Sequence, residues 1–271
     1  MPVTPRTRVG RPRTRSASPA APVRALDRGL AILAALAERG PSPLRDVASV
    51  TGLAPSTAHR LLDTLAHRGF IELDADHGTY AIGARAFAIG ARYLQRGLQE
   101  AALGPIRALR DALGESVNLA VRDGEHAVYI HQEEGNRSIR LFTRVGARVP
   151  LHASGVGKAL LAWSDGAERD ALLARMSLTP LTAATHTTVA ALRADLDASV
   201  RRGFALDLEE VEAGVRCAAA PVRDARGVVA ALSVSAPSER FDDTRLSEVG
   251  PALADTAKRV SQRLGWVDEA P

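Results

Sequence analysis

Apolar residues recur along the chain at two spacings, and the change from one to the other outlines the architecture. Between Ala25 and Ala37 the spacing is helical, with Leu26, Leu30, Leu33 and Leu36/Ala37 on one side, and Arg39-Gly40-Pro41 ends the helix. Leu44, Val47 and Ala48 repeat the pattern over a short second helix. Thr51-Gly52-Leu53 follows as a turn, where Gly52 supplies the permissive backbone. Pro55 suits the first position of a third helix, because its missing N–H would have no partner there. Ala58, Leu61, Leu62 and Leu65 form that helix's buried face, and Gly69 stops it. Two alternating segments, Ile71-Glu72-Leu73 and Thr79-Tyr80-Ala81-Ile82, flank Asp74–Gly78 and predict a hairpin. Three helices and a hairpin over residues 24–83 predict a winged helix-turn-helix, whose third helix enters the DNA major groove.

Ala84, Phe87, Ala88, Ala91, Leu94 and Leu98 mark a further helix over residues 84–99. Such a helix either packs on its own domain or links to the next and pairs with a second copy. Over residues 100–265 the pattern changes. Ala102–Leu113, Ala153–Trp163, Ala167–Met176, Val189–Arg201 and Leu246–Leu264 carry helical spacing. Ser116–Val121, His126–Gln132, Ile139–Thr143, Val215–Val222 and Val228–Ser235 carry strand patterns, with turns at Asp123-Gly124 and Asp224–Gly227. Paired strands with helices between them predict an α+β domain with a mostly antiparallel sheet flanked by helices. Residues 266–271 form a short tail.

Charge changes this picture at one end. The net charge is +4, but residues 1–25 hold six arginines and no acid, which leaves the rest of the chain slightly acidic. Residues 1–23 are also rich in Pro, Ser and Thr without periodicity, so they read as a disordered tail. It serves either as an arm on DNA phosphates or as a solvated tail; a transit peptide would need an apolar face that it lacks. The single cysteine, Cys217, excludes an internal disulfide and suits a reducing, cytoplasmic compartment. No apolar run approaches the roughly 20 residues of a membrane span.

Four stretches together carry a family likeness: Arg24-Ala25-Leu26-Asp27-Arg28-Gly29-Leu30, Ser56-Thr57-Ala58-His59-Arg60-Leu61-Leu62, Leu151-His152-Ala153-Ser154-Gly155-Val156-Gly157-Lys158-Ala159, and Gly214-Val215-Arg216-Cys217-Ala218-Ala219-Ala220-Pro221-Val222. In this order and spacing the chain resembles an IclR-type transcriptional regulator from about Arg24 to Leu264. The resemblance implies a winged helix, a linker helix and a GAF-like domain that binds a small molecule, in dimers that often pair into tetramers on DNA. It carries the effector pocket onto Ser154, Gly155, Val156, Asp207, Cys217, Ser233 and Ser235.

The residues support a reading beside that likeness. Ser56, Thr57, His59 and Arg60 occupy the N-terminal half of the recognition helix, with Arg60 the expected reader of guanine. Asp63 is expected to pair with His67 one turn on. Ser154-Gly155-Val156-Gly157 opens a helix whose free N–H groups favour an anion. It is not a Walker A loop, since His152 and Ala159 stand where that motif needs Gly and Ser/Thr. A small carboxylate is therefore the expected effector, and a packing role for the glycines is the alternative. Ser233 and Ser235 share one strand face, and Cys217 sits in an apolar strand. An unpaired, ionised Asp207 in the pocket would oppose an acid ligand.

The expected partners are double-stranded operator DNA, the effector and a second copy of the chain, as a homodimer or a dimer of dimers; no catalysis, cofactor, metal or membrane is expected. Three alternatives stay open. One is an enzyme using the glycine loop with His152, Asp207 and Cys217, and a second is a metal site from His152, Asp207, Glu209 and Cys217, although no short ligand spacing supports it. The third is a DNA-binding protein without a ligand.

Overall fold

The computed structural model describes residues 23–94, 97–136 and 144–267. The basic N-terminal tail, the expected strand over Ile139–Thr143 and the last four residues lie outside them. The chain divides into two compact units, Met1–Arg92 and Tyr93–Pro271. No helix among the described residues is long and apolar enough to cross a membrane.

The first unit runs α1 (Arg24–Arg39), β1 (Ser42–Pro43), α2 (Leu44–Thr51), α3 (Pro55–His67), β2 (Ile71–Asp74), β3 (Thr79–Ile82) and α4 (Ala84–Leu94). Gly52 takes a left-handed φ of 64° and its N–H returns to α2, so the chain reverses into Pro55 at the start of α3. The wing hairpin pairs Ile71 with Ile82 and Asp74 with Thr79. At its tip, Asp74 accepts hydrogen bonds from the backbone N–H groups of Asp76 and His77. Ile32, Leu36, Val47, Leu62, Ile71 and Tyr80 form the core. The α1 stripe differs from expectation. The buried face is Gly29, Ile32, Ala35 and Leu36, and α1 packs on α2 and α3. Leu26 and Leu30, expected inside, are 62% and 55% exposed. Phe87 on α4 is likewise exposed.

The second unit runs α5 (Leu98–Leu113), β4 (Ser116–Asp123), β5 (His126–Glu133), β6 (Arg148–Pro150), α6 (Gly155–Ala162), α7 (Gly166–Arg175), α8 (Val189–Arg202), β7 (Ala205–Leu208), β8 (Val215–Asp224), β9 (Gly227–Pro237) and α9 (Asp243–Arg263). Gly97, expected near the end of the linker helix, instead precedes α5 with a left-handed φ of 77°. The six strands form one antiparallel sheet in the order β6-β5-β4-β9-β8-β7. The α5 and α9 side of the sheet packs through Ile106, Leu119, Val234 and Leu253. The opposite side packs under α6, α7 and α8 through Ala120, Tyr129, Val156, Leu173, Leu196 and Ala219. Helices on both faces explain why the middle strands read as apolar runs. At one sheet end the Arg223 guanidinium stacks on Trp163 and Trp266, 6.0 and 5.0 Å from their ring centres.

Candidate functional site

In the first unit, Ser56, His59 and Arg60 are exposed on α3 and Thr57 is half-buried. Thr57 and Arg60 border a recess of about 350 Å3 that Arg24 and Arg28 of α1 complete. Three guanidinium groups around one recess favour an anionic neighbour such as a phosphate. Arg28 was not among the expected DNA contacts, because its partners come together only when α1 packs beside α3. Asp63 pairs with His59 (Nδ1–Oδ2 2.9 Å) and not with His67, so the expected pair is corrected to the turn before. Both positions lie four residues from Asp63, and sequence spacing does not choose between them.

In the second unit, a cavity of about 290 Å3 opens between the sheet and the N-terminus of α6. Ser154, Gly155, Asp207, Cys217 and Ser235 line it, with Tyr129, Arg144 and Glu212. Sheet register explains the grouping. Asp207 pairs with Cys217, Cys217 with Ser235, and Ser235 with Ser116, so these four side chains form one row on the α6 face. Val156 and Ser233 do not line the cavity. Val156 packs in the core under α6, and Ser233 is fully buried one row further along the sheet.

Ser154 caps α6. Its Oγ accepts from Gly157 N at 3.1 Å and donates to Pro150 O at 2.8 Å. The glycines fit the packing alternative as well as the anion reading. A Cβ on Gly155 would stand 2.9 Å from Cys217 Sγ, and one on Gly157 would stand 2.4 Å from Leu151 Cα.

The polar groups of the cavity are tuned by burial. Burial pushes the Asp207 carboxyl up to about 7, against the hydrogen bond it accepts from Glu210 N (2.8 Å). Near neutral pH much of it therefore carries a proton, which it can donate to an anion. Burial, helped by the charge of Asp207, pushes the Cys217 thiol up to about 12. A thiol held protonated is no nucleophile. His152 donates its Nε2–H to Thr179 O at 3.0 Å and does not line the cavity, so the Cys/His arrangement of the enzyme alternative is not assembled. Nor is the metal set of His152, Asp207, Glu209 and Cys217 brought together: among the described residues the group with metal-ligand spacing is His186, Asp195 and Glu210.

That group has a resident cation. Lys158, fully buried on α6, reaches Asp195 Oδ2 at 2.7 Å and Glu210 Oε1 at 2.5 Å. His186 Nε2 stands 3.8 and 3.7 Å from the same two carboxylates. The segment after β7 is latched by Thr182 and Thr185, whose hydroxyls donate to Glu209 O and Glu210 O, both at 2.7 Å. Sequence reasoning missed Lys158 because its partners come from α8 and the loop after β7.

A winged helix-turn-helix followed by a sheet domain with a polar cavity defines a ligand-responsive transcriptional regulator. Residues 25–75 match the family model of the IclR helix-turn-helix domain, and residues 92–262 match that of the bacterial transcriptional regulator IclR C-terminal domain. The chain belongs to the IclR family of bacterial transcriptional regulators. It is 41% identical over 258 residues to the HTH-type transcriptional regulator BhcR of Paracoccus denitrificans, covering 93% of this chain and 92% of that one. It is 38% identical over 266 residues to the transcriptional repressor IclR of Escherichia coli, covering 96% and 97%. An IclR homologue from Microbacterium hydrocarbonoxydans, solved in complex with 4-hydroxybenzoate, superposes with a TM-score of 0.77 at 26% identity, over 89% of this chain and 99% of that one.

Proposed function

We propose that the protein is a repressor that binds a pseudo-palindromic operator as a homodimer or dimer of dimers and responds to a small carboxylate. Ser56, Thr57, His59 and Arg60 would contact the operator, and the cavity over β8 and β9 would hold the acid. The observation that carries the effector reading is the cavity beside the N-terminus of α6, in whose wall burial raises the Asp207 carboxyl to about 7. A carboxyl raised that far repels an acid less at and below neutral pH than an ordinary aspartate would. The E. coli relative's name supports repression, and the 4-hydroxybenzoate complex of the Microbacterium homologue supports an acid ligand. The ligand would act by favouring one arrangement of the regulator over another, a coupling of typically about 1–3 kcal/mol.

Fluorescence anisotropy on the gene's own upstream region, with and without a panel of small acids, tests this. Specific binding weakened several-fold by one acid is the expected result. Specific binding that no acid shifts would remove the carboxylate, and binding no tighter than to a random duplex would remove the DNA reading.

Two further results are expected. Arg60→Ala should weaken operator binding about tenfold to a hundredfold and flatten its preference over random DNA. Arg24→Ala and Arg28→Ala should weaken both DNAs alike and reduce the salt dependence by about one phosphate contact each. An unchanged salt slope would remove the α1 arginines from the interface.

Acid binding should also follow pH. The protonated Asp207 is the form that accepts an anion, so affinity is full below about pH 7 and falls by up to tenfold per unit above it. Calorimetry between pH 6 and 8.5 measures this, and Asp207→Asn should flatten the profile. A flat wild-type profile would mean that Asp207 takes no proton with the ligand.

A further inference from the structure

The wing of the first unit carries the wrong charge for a DNA groove. Between Arg68 and Arg85 the chain has no lysine or arginine, while the hairpin holds Glu72, Asp74 and Asp76. All three acids are exposed. The Asp74 carboxylate accepts a hydrogen bond from His77 Nδ1 at 2.8 Å, which holds it below the usual carboxylate range. With His77 charged or neutral, the hairpin stays negative. Pressed against phosphates it meets repulsion, and a narrow minor groove concentrates negative potential further.

The attractive side of the same unit is the recess that Arg24 and Arg28 share with Thr57 and Arg60 of the recognition helix. Because α1 begins at Arg24, the chain ahead of it departs from that recess. This preceding stretch, outside the described residues, holds Arg6, Arg8, Arg11, Arg13 and Arg15 and no acid. Its centre reads Gly10-Arg11-Pro12-Arg13. Glycine adds no bulk, and proline favours an extended backbone in the residue before it, which suits a narrow channel. Extended chain covers about 3.3 Å per residue, so the stretch from Arg15 to Arg24 reaches up to about 30 Å. The minor groove next to a helix seated in the major groove lies about half a turn away, roughly 17 Å.

We propose that residues 6–15 form an arm that enters the minor groove beside the site read by α3, in place of the wing, so that the operator includes an A·T-rich flank. The ligand is the row of adenine N3 and thymine O2 acceptors, which guanidinium donors match and the guanine N2 amino group interrupts. Basic arms ahead of other DNA-binding domains read DNA in this way. The inference rests on the operator-binding reading above and adds a second groove to it.

Fluorescence anisotropy of the full chain tests it, on the site footprinted in the gene's own upstream region with its flanks made A·T, G·C or inosine·cytosine. Inosine·cytosine keeps the major-groove pattern of G·C but lacks the minor-groove amino group, so it reports which groove is read. A second full chain carries Arg6→Ala, Arg8→Ala, Arg11→Ala, Arg13→Ala and Arg15→Ala. The wild type should bind the A·T and inosine·cytosine flanks about tenfold tighter than G·C. The five-fold variant should bind all three within about twofold of one another. Equal affinity for the three flanks in the wild type would leave the arm with phosphate contacts alone and overturn the inference. Inosine·cytosine behaving as G·C would also overturn it, by placing the preference outside the minor groove. A preference that survives in the variant would return it to the folded unit. Absence of any footprinted site would overturn the operator reading as well.

Discussion

Replacing Lys158 by methionine should lower folding stability by about 3–5 kcal/mol, the loss expected when one member of a buried ion pair is removed. The side chain is 1% exposed, and its ammonium lies between Asp195 and Glu210. Methionine fills the space but leaves two carboxylates facing each other with the His186 ring, 3.8 and 3.7 Å away, in place of the ammonium. Urea denaturation of the purified variant measures the loss. A companion variant, Lys158→Met with Asp195→Asn and Glu210→Gln, removes both carboxylates along with the ammonium and should recover more than half of it. A single variant within about 1 kcal/mol of wild type would show that water reaches the pair. The consequence extends to the cavity, because the Lys158 charge pulls the Asp207 carboxyl downward against its burial. In the single variant Asp207 should hold its proton to higher pH, and the pH profile of acid binding should move up with it.

The second large effect is at Gly157. A Cβ there would stand 2.4 Å from Leu151 Cα and 2.6 Å from Leu151 O, and backbone atoms cannot turn aside as a side-chain end can. Gly157→Ala should therefore push α6 away from the backbone at Leu151, at about 3 kcal/mol, the upper end of overpacking penalties. Gly166→Ala in α7 is the control, since nothing lies within 4 Å of that added methyl group. Thermal or urea unfolding separates the two, and anisotropy with the acid panel should show a weakened response in the first alone. Equal stability of the two variants would mean that α6 packs less closely than the distances state.

Both effects bear on what the residues disclosed in advance. The winged helix was legible because its signals are local: Gly52 and Pro55 bracket the turn, Gly69 follows the recognition helix, and Asp74 organises the wing tip. The α1 face was misjudged because Leu26 and Leu30 continue a stripe as regular as the one that packs, and periodicity does not say which of two stripes meets α2. In the second unit the paired strands around Asp123-Gly124 and Asp224–Gly227 stood out, each hairpin carrying its own turn. β7 did not, because no tight turn joins its four residues to their partner β8 as one joins the wing strands. The cavity shows the same division. Ser154 and Gly155 were marked by a helix start, whereas Tyr129, which lines the cavity, and Lys158, which does not, sit in apolar runs. Their roles arise only from what the sheet register and the packing of α6 set beside them.

The stacking of Trp163 and Trp266 on one guanidinium has a practical corollary. These are the chain's two tryptophans, and both belong to the second unit, at the same charged group. Intrinsic indole emission is thus a private channel to that unit, silent about the winged helix. Circular dichroism, to which every helix contributes, listens to both. Recording the two signals on one sample resolves the protein into its halves without any label, and a gap between the two curves measures how independently the halves melt.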